Sequence, residues 1–321
     1  MDSELRNYVV RRTLQIPVVL FLVSVIVFGV IHLPRGGPVE LIAGRATDAI
    51  IADLRDQYHL NEPLYVQYVL WLEQLARGSL GTSIIARQPV TSMIASRLPV
   101  TLFLAFSSSV LAVLIAIPAG YISAVEQYSW KDHLATILAF VGLSIPNFFL
   151  GVLLITVFGV KLGWLPITAG SDLFSGLRQT VEVFLMPTIA LGTAMSAQTT
   201  RILRSSMLDV FSENYVQVAR AKGLPQKVVN RSIVFKNALI PVITVVALQT
   251  GYALGATVII EEVFALPGLG RLMVRSVLQR DFPVVQSIVL FYAIAYLLLN
   301  FTADILYGVI DPRIRYGGEA T

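Results

Sequence analysis

Residues 214–224 read NYVQVARAKGL, a short, half-polar, alanine-rich stretch with two cations, set inside a chain whose mean hydropathy is +0.73. Long apolar runs precede and follow it. The chain is 55% hydrophobic and only 14% charged, against about 25% charged residues in a soluble domain. That shortage of charge points to burial in lipid. The question is why a membrane-embedded chain places a small basic helix between two of its apolar runs.

Six runs are long enough to cross a ~30 Å hydrocarbon core, which takes about 20 residues. They lie at about Leu14–Leu33, Val100–Val125, Leu134–Val160, Phe184–Arg201, Leu239–Ile260 and Val284–Ile310. In lipid the backbone finds no water partners, so each run is helical. The sequence therefore predicts an all-α integral membrane protein with six transmembrane helices, as one domain over residues 1–321. Pro118, Pro146 and Pro187 fall in or at the ends of spans, where neighbouring helices can re-satisfy the freed carbonyls. The basic Met1–Thr13 precedes an apolar run too long for a signal peptide and without a small-residue cleavage site, so the first span is retained.

Lysine and arginine are denser in the N-terminal tail, in 126–133, in 202–238 and in the C-terminal tail. The positive-inside rule then puts these segments and both termini inside. The insert 34–99 lies outside. Its six arginines are offset by Glu40, Asp48, Asp53, Asp56, Glu62 and Glu73, which suits a solvated folded element. Two stretches in it, DAIIADLRDQYHL and PLYVQYVLWLEQLARG, have helical periodicity. Pro63 suits a first turn and Gly78 a stop. The second stretch is aromatic along Tyr65, Tyr68 and Trp71, which fits either an interfacial helix or a platform for an outside partner.

Residues 202–238 form the longest inside loop. Ser212 can cap a helix, Glu213 suits its first turn, and Gly223 followed by Pro225 ends it after about three turns. Tyr215, Val218, Ala219 and Lys222 are spaced as one face. Ala219, Ala221 and Gly223 are small enough for another surface to approach. Either this is a charged loop that fixes topology, or it is a docking helix that enters a partner's groove.

NYVQVARAKGL followed by FKNALIPVIT resembles the cytoplasmic loop signature of binding-protein-dependent ABC importer permeases. Gln217-Val218-Ala219 stands for that family's Glu-Ala-Ala triplet, with Gly223 at the glycine position. The glutamate is missing, so no ion pair from that position is carried over. Phe235–Pro241 looks like the variant in dipeptide, oligopeptide, glutathione and nickel permeases. GSLGTSIIARQPVTSMIASRLPVTL, LPGLGRLMVRSVLQRDFPVVQSIVL and NFTADILYGVIDPRIRY resemble the first permease of those systems, and VKLGWLPITAG and ELIAGRATD lean toward its glutathione and dipeptide members.

The resemblance implies a type I permease in a bacterial or archaeal cytoplasmic (inner) membrane. It implies pairing with a second homologous permease, two ATPase subunits inside and an extracytoplasmic solute-binding protein. The helix Asn214, Tyr215, Gln217, Val218, Ala219, Arg220, Ala221, Lys222, Gly223 would then be the ATPase-coupling element. No G-x-x-x-x-G-K-[ST] loop occurs, so ATP and Mg are expected on the partner ATPases and no cofactor on this chain, which is not an enzyme. The cargo implied is a di- or oligopeptide or a glutathione-like peptide, with nickel chelates or oligosaccharides as alternatives.

Ser144, Asn147, Thr193, Gln198, Gln249 and Thr250 put polar groups at span depth, either lining the pathway or bonding to neighbouring helices. Glu261, Glu262 and Arg271 stand at the last outer loop, as receptor-docking charges or ordinary solvated ones. Asp304 lies in the last span, either as a functional group or as a packing group near the inside end. The chain has no cysteine, which excludes disulfides and thiol chemistry, and His32, His59 and His133 are scattered, so no metal site is expected. Neither is a nucleic-acid partner. An ion-coupled secondary transporter would need its own coupling-ion site and paired interrupted spans. An intramembrane enzyme would need a clustered catalytic constellation. Neither pattern is present.

Overall fold

A computed structural model of the chain describes residues 3–32, 61–168, 170 and 173–310. Among these residues the fold is helical, with an isolated bridge between Thr82 and Pro89. The helices are α1 (Ser3–His32), α2 (Leu64–Ala76), α3 (Val90–Val125), α4 (Trp130–Ser144), α5 (Asn147–Leu154), α6 (Leu177–Ser212), α7 (Asn214–Ala221), α8 (Lys236–Val263), α9 (Leu269–Gln279) and α10 (Phe282–Ile310). Wider π-type turns extend α5 through Ile155–Lys161 and lead into α8 through Val229–Phe235. The expected first helix of the outer insert, with Glu40, Asp48, Asp53, Asp56 and His59, lies outside the described residues, as does the side chain of His32.

Among the described residues, five helices are long and apolar enough to cross a membrane, and a bent pair counted as one span gives a sixth. The expected straight span Leu134–Val160 is this pair: α4 and the segment 147–161 meet at 99°. Pro146 explains the break. It lacks an N–H and forces the preceding residue out of the helical region, and Ile145 sits at φ −86, ψ 120. The other spans exceed the sequence estimate. At 1.5 Å per residue, the 36 residues of α3 or α6 reach about 54 Å, so both project beyond ~30 Å of hydrocarbon.

Helix α6 is the centre of the bundle, packed along α3, α8 and α4. Leu104 of α3, Phe184, Met186 and Leu191 of α6, and Leu254 and Ile260 of α8 form the main buried cluster. A second cluster at the α7 end joins Leu203, Met207, Val216, Ala219, Val229, Val234 and Ala238. A third, at the opposite end, joins Val90, Ile94, Leu269, Leu272, Val284 and Ile288. Helix α2 lies against α1: Tyr68 shares a 2.7 Å hydrogen bond with Ser24, and Tyr68 and Trp71 pack on Phe28. Tyr65 points outward, 72% exposed. Pro63 precedes α2 and Gly78 takes φ +78 after it, as the sequence predicts.

Buried carboxylates clamp the ends of the bundle. At the end away from α7, Glu261 accepts from Thr101 Oγ1 at 2.6 Å and from the Arg271 N–H at 3.1 Å, while Thr101 Oγ1 accepts from the Leu269 N–H at 2.8 Å. Its carboxylate thus sits at the N-terminus of α9, where orphan N–H groups and the helix dipole favour a negative charge. The motif Leu266-Pro267-Gly268-Leu269-Gly270 makes room for it. A Cβ on Gly268 would clash with the Glu261 carboxylate, and one on Gly270 with the Val258 backbone. Nearby, Asp281 accepts from Ser83 Oγ and from the Ile84 N–H, which pins the loop before α3 to the start of α10. At the α7 end, Asp132 in the first turn of α4 takes two hydrogen bonds from Arg204 of α6, at 2.8 and 2.9 Å, with Ser123 Oγ and the Tyr128 N–H also donating.

The Gly270 contact is with backbone, so no side chain can swing away from an added methyl. Gly270→Ala is expected to cost about 1–3 kcal/mol, the usual range for overpacking. Gly29→Ala on α1 meets nothing within 4 Å and should be neutral. Thermal unfolding of both variants in detergent checks this; equal melting of the two would remove the steric account of the motif.

Candidate coupling helix and pathway surface

The loop between α6 and α8 holds the stretch 214–224. Helix α6 continues without a break to Ser212, whose hydroxyl bonds back to the Asp209 carbonyl at 2.7 Å. Ser212 is therefore the last residue of α6 and not the expected cap. The chain turns at Glu213, which is extended at φ −67, ψ 141 and precedes α7 without a side-chain capping bond. Helix α7 has 8 residues, about two turns and not three. Gly223 ends it at φ +77, in the left-handed region, with its N–H bonded to Arg220 O at 2.9 Å and the Leu224 N–H to Ala219 O at 3.3 Å. Nothing lies within 4 Å of a Cβ placed there, so the need for glycine comes from the backbone alone.

The faces of α7 also differ from the expected grouping. Val216 and Ala219, three apart, turn inward onto Leu203, Met207 and Val229. Ala219 is thus part of the loop's own core and is not available to a partner. Tyr215 and Val218 turn outward, 43% and 52% exposed, flanked by exposed Asn214, Gln217, Ala221 and Lys222. The Arg220 guanidinium lies 5.5 Å from the centre of the Phe211 ring. The helix is firmly mounted. Its core joins α6 to the lead-in of α8, Ser206 Oγ donates to Ala238 O at 3.1 Å, and the Asp132–Arg204 pair ties the same end of α6 to α4. A force on α7 is therefore delivered to α6 and α8 together.

The polar residues at span depth do not converge on one site. Ser144, Thr193 and Thr250 donate to carbonyls of their own helices, at Phe140, Ile189 and Val246. Thr250 also reaches Ser109 at 3.2 Å. Gln249 is buried between α6 and α8, with Oε1 accepting from Thr199 at 3.0 Å and Nε2 unpartnered. Asn147 and Gln198 border cavities. Asn147, at the break after Pro146, faces a cavity of about 620 Å³ with Tyr252, Tyr292 and Tyr296. Gln198 faces another, of about 540 Å³, with Arg201 and Phe140.

Among the residues expected to meet a receptor, Glu261 is completely buried in the clamp described above and cannot be a docking charge. Glu262 stays exposed, with Arg271 Nε 3.8 Å from its carboxylate. Asp304 pairs with Arg12 of α1 at 2.6 Å, a packing role that ties the first span to the last. Sequence reasoning missed three features: the Asp132–Arg204 pair, the Glu261 clamp and the exposed Arg201. An aspartate in the short polar stretch between two apolar runs was a weak signal for the first. Nothing local indicates a partner 72 positions away.

Comparison with known proteins agrees with this architecture. The family described as binding-protein-dependent transport system inner membrane component matches residues 116–316, and its N-terminal companion matches residues 5–105. The chain is 43% identical over 311 residues to a glutathione transport system permease protein, GsiC, of Escherichia coli O6:H1, covering 97% of this chain and 99% of that one. The GsiC of Shigella flexneri serotype 5b is 42% identical over the same length. Among solved structures, the MetNI methionine ABC transporter in an inward-facing form aligns with a TM-score of 0.57 at 16% identity, over 69% of this chain and 97% of that one. An amino acid ABC transporter with histidines aligns at 0.52 and 19% identity, over 70% and 94%. Those likenesses concern the fold, and the sequence matches carry the family. The chain belongs to the binding-protein-dependent transport system inner membrane components and is a permease subunit of an ABC importer.

Proposed function

We propose that this permease imports small peptides of the glutathione type, as one half of a translocation unit completed by a second, homologous permease. An extracytoplasmic binding protein delivers the cargo on the side of the insert 34–99. Two ATPase subunits, carrying ATP and Mg, bind inside, where both termini lie. The glutathione assignment rests on the similar permeases, whose names specify that cargo.

The observation that carries the coupling role is the outward face of α7. Tyr215 and Val218 are exposed on a short helix that projects from the end of the bundle, and its other face is spent on internal packing. An aromatic and an aliphatic side chain side by side, rimmed by Gln217 and Lys222, suit a groove in a partner protein. Movement of the ATPases would pull on α7 and, through its core contacts, tilt α6 and α8.

Val218→Asp and Tyr215→Asp place a charge in that contact and leave the loop's core intact. Both are expected to lower uptake at least tenfold and to reduce co-purification of the ATPases, at normal permease abundance. Ala219→Glu instead buries a charge in the loop core and should lower abundance itself. Uptake, ATPase recovery and permease level are measured for all three variants. Normal uptake by well-expressed Val218→Asp and Tyr215→Asp would remove the coupling role.

Topology is checked in the same cysteine-free background. Gln74→Cys on α2 should react with an impermeant thiol reagent applied to intact cells. Arg220→Cys on α7 should react only after permeabilisation. The opposite pattern would invert the proposed orientation.

A further inference from the structure

Helix α6 carries one exposed polar stripe. Gln198, Arg201 and Ser205 follow one another at helical spacing and are exposed, while Ala197, Thr199, Thr200 and Leu203 between them are buried. The stripe borders a cavity of about 540 Å³, closed on its other side by Thr136 and Phe140 of α4. Arg204, at the rim, is already committed to Asp132. Arg201 has no carboxylate partner among the described residues; its guanidinium lies over the Phe140 ring, 5.3 Å from the centroid.

Position along α6 makes this arrangement informative. Arg204 is held at the start of α4 by Asp132. Counting back along α6 at 1.5 Å per residue, Arg201 lies about 4.5 Å and Gln198 about 9 Å from it, toward the middle of the helix. An exposed cation and amide on a helix of an otherwise apolar bundle face water or a charged partner, because lipid offers them nothing to bond. The Arg201 fork can hold a carboxylate through two parallel hydrogen bonds. The Gln198 amide, one turn away, supplies a further donor, and the Phe140 ring offers an apolar surface for the rest of a ligand.

We propose that Arg201 and Gln198 form a carboxylate-binding subsite on the α7 side of the translocation pathway, which takes a free carboxylate of the peptide cargo on its way out. The subsite rests on the importer reading above. It places a cargo contact on the same helix that runs into α7, three turns from the coupling element.

The test uses the importer assembled with its partner subunits in zwitterionic nanodiscs, with Ser205→Cys as a reporter one turn from Arg201. Its reaction rates with an anionic and a cationic methanethiosulfonate reagent are read by mass spectrometry of this chain. Removing a unit charge at this distance in Arg201→Gln should lower the anionic-to-cationic rate ratio roughly tenfold. S-methylglutathione, which has free carboxylates and no thiol, should slow the reaction several-fold when Arg201 is present and not in Arg201→Gln. Its diethyl ester should have no effect in either.

An unchanged rate ratio would overturn the subsite. So would a cysteine at 205 that reacts with neither reagent, which would put the stripe in a sealed seam between permeases. Slowing by phosphatidylglycerol but not by S-methylglutathione would assign Arg201 to a lipid headgroup and also overturn it. Uptake of S-methylglutathione by the unsubstituted assembly, reconstituted in proteoliposomes of the same lipid, is measured alongside. Uptake without charge preference or protection fails the subsite alone, whereas absence of any peptide uptake fails the importer reading and the subsite with it.

Discussion

In hydrocarbon the backbone has no water to bond, so every stretch that crosses the membrane must satisfy its N–H and C=O groups within itself. The rest of this structure follows from that requirement. The apolar runs become long helices, and even Pro17, Pro99, Pro118, Pro187 and Pro241 are absorbed within them. Pro146 marks the break. There the preceding isoleucine is forced into an extended conformation, and the third span turns by 99°. The break carries Asn147 to the wall of a cavity between α8 and α10, so the irregular backbone coincides with an open groove between those helices.

Once the helices exist, apolar packing alone discriminates weakly between arrangements, because lipid tails are as apolar as the helices themselves. Buried polar contacts supply the specificity. Glu261 at one end and Asp132 at the other each gather donors from separate elements, Thr101 and the start of α9 in the first case, Arg204 and the α3–α4 turn in the second. Each carboxylate is desolvated and then matched by several donors, so an alternative register would leave a buried charge unpaired. The Arg12–Asp304 pair adds a more exposed tie between the first and last spans.

These clamps also bear on transport. The loop containing α7 is fused to the ends of α6 and α8 by a buried cluster, so α7 behaves as a handle on both helices and not as a loose connection. The same α6 carries the polar stripe that faces the cavity beside α4. A helix that is fused to α7 at one end and borders open space along its flank has the geometry to convert movement at the first into a change of access at the second. The outward apolar pair Tyr215 and Val218 makes sense in that setting, since the bundle does not cover it.

The sequence alone determined the helical membrane class, most span positions, the basic loop with its left-handed glycine and the family resemblance. These are local properties: apolar length, charge placement, Pro and Gly at fixed offsets, and motifs read residue by residue. The tertiary structure decided what depends on neighbours distant in the chain. It turned Ala219 inward, because Val216 and Ala219 share the face that meets Leu203 and Met207. It buried Glu261, which reads as a loop charge until Thr101, 160 positions earlier, is seen to bond it. It split the third span, and it left Arg201 exposed where Arg204, one turn on, found Asp132. Periodicity shows that a helix has faces, but only packing determines what each face meets.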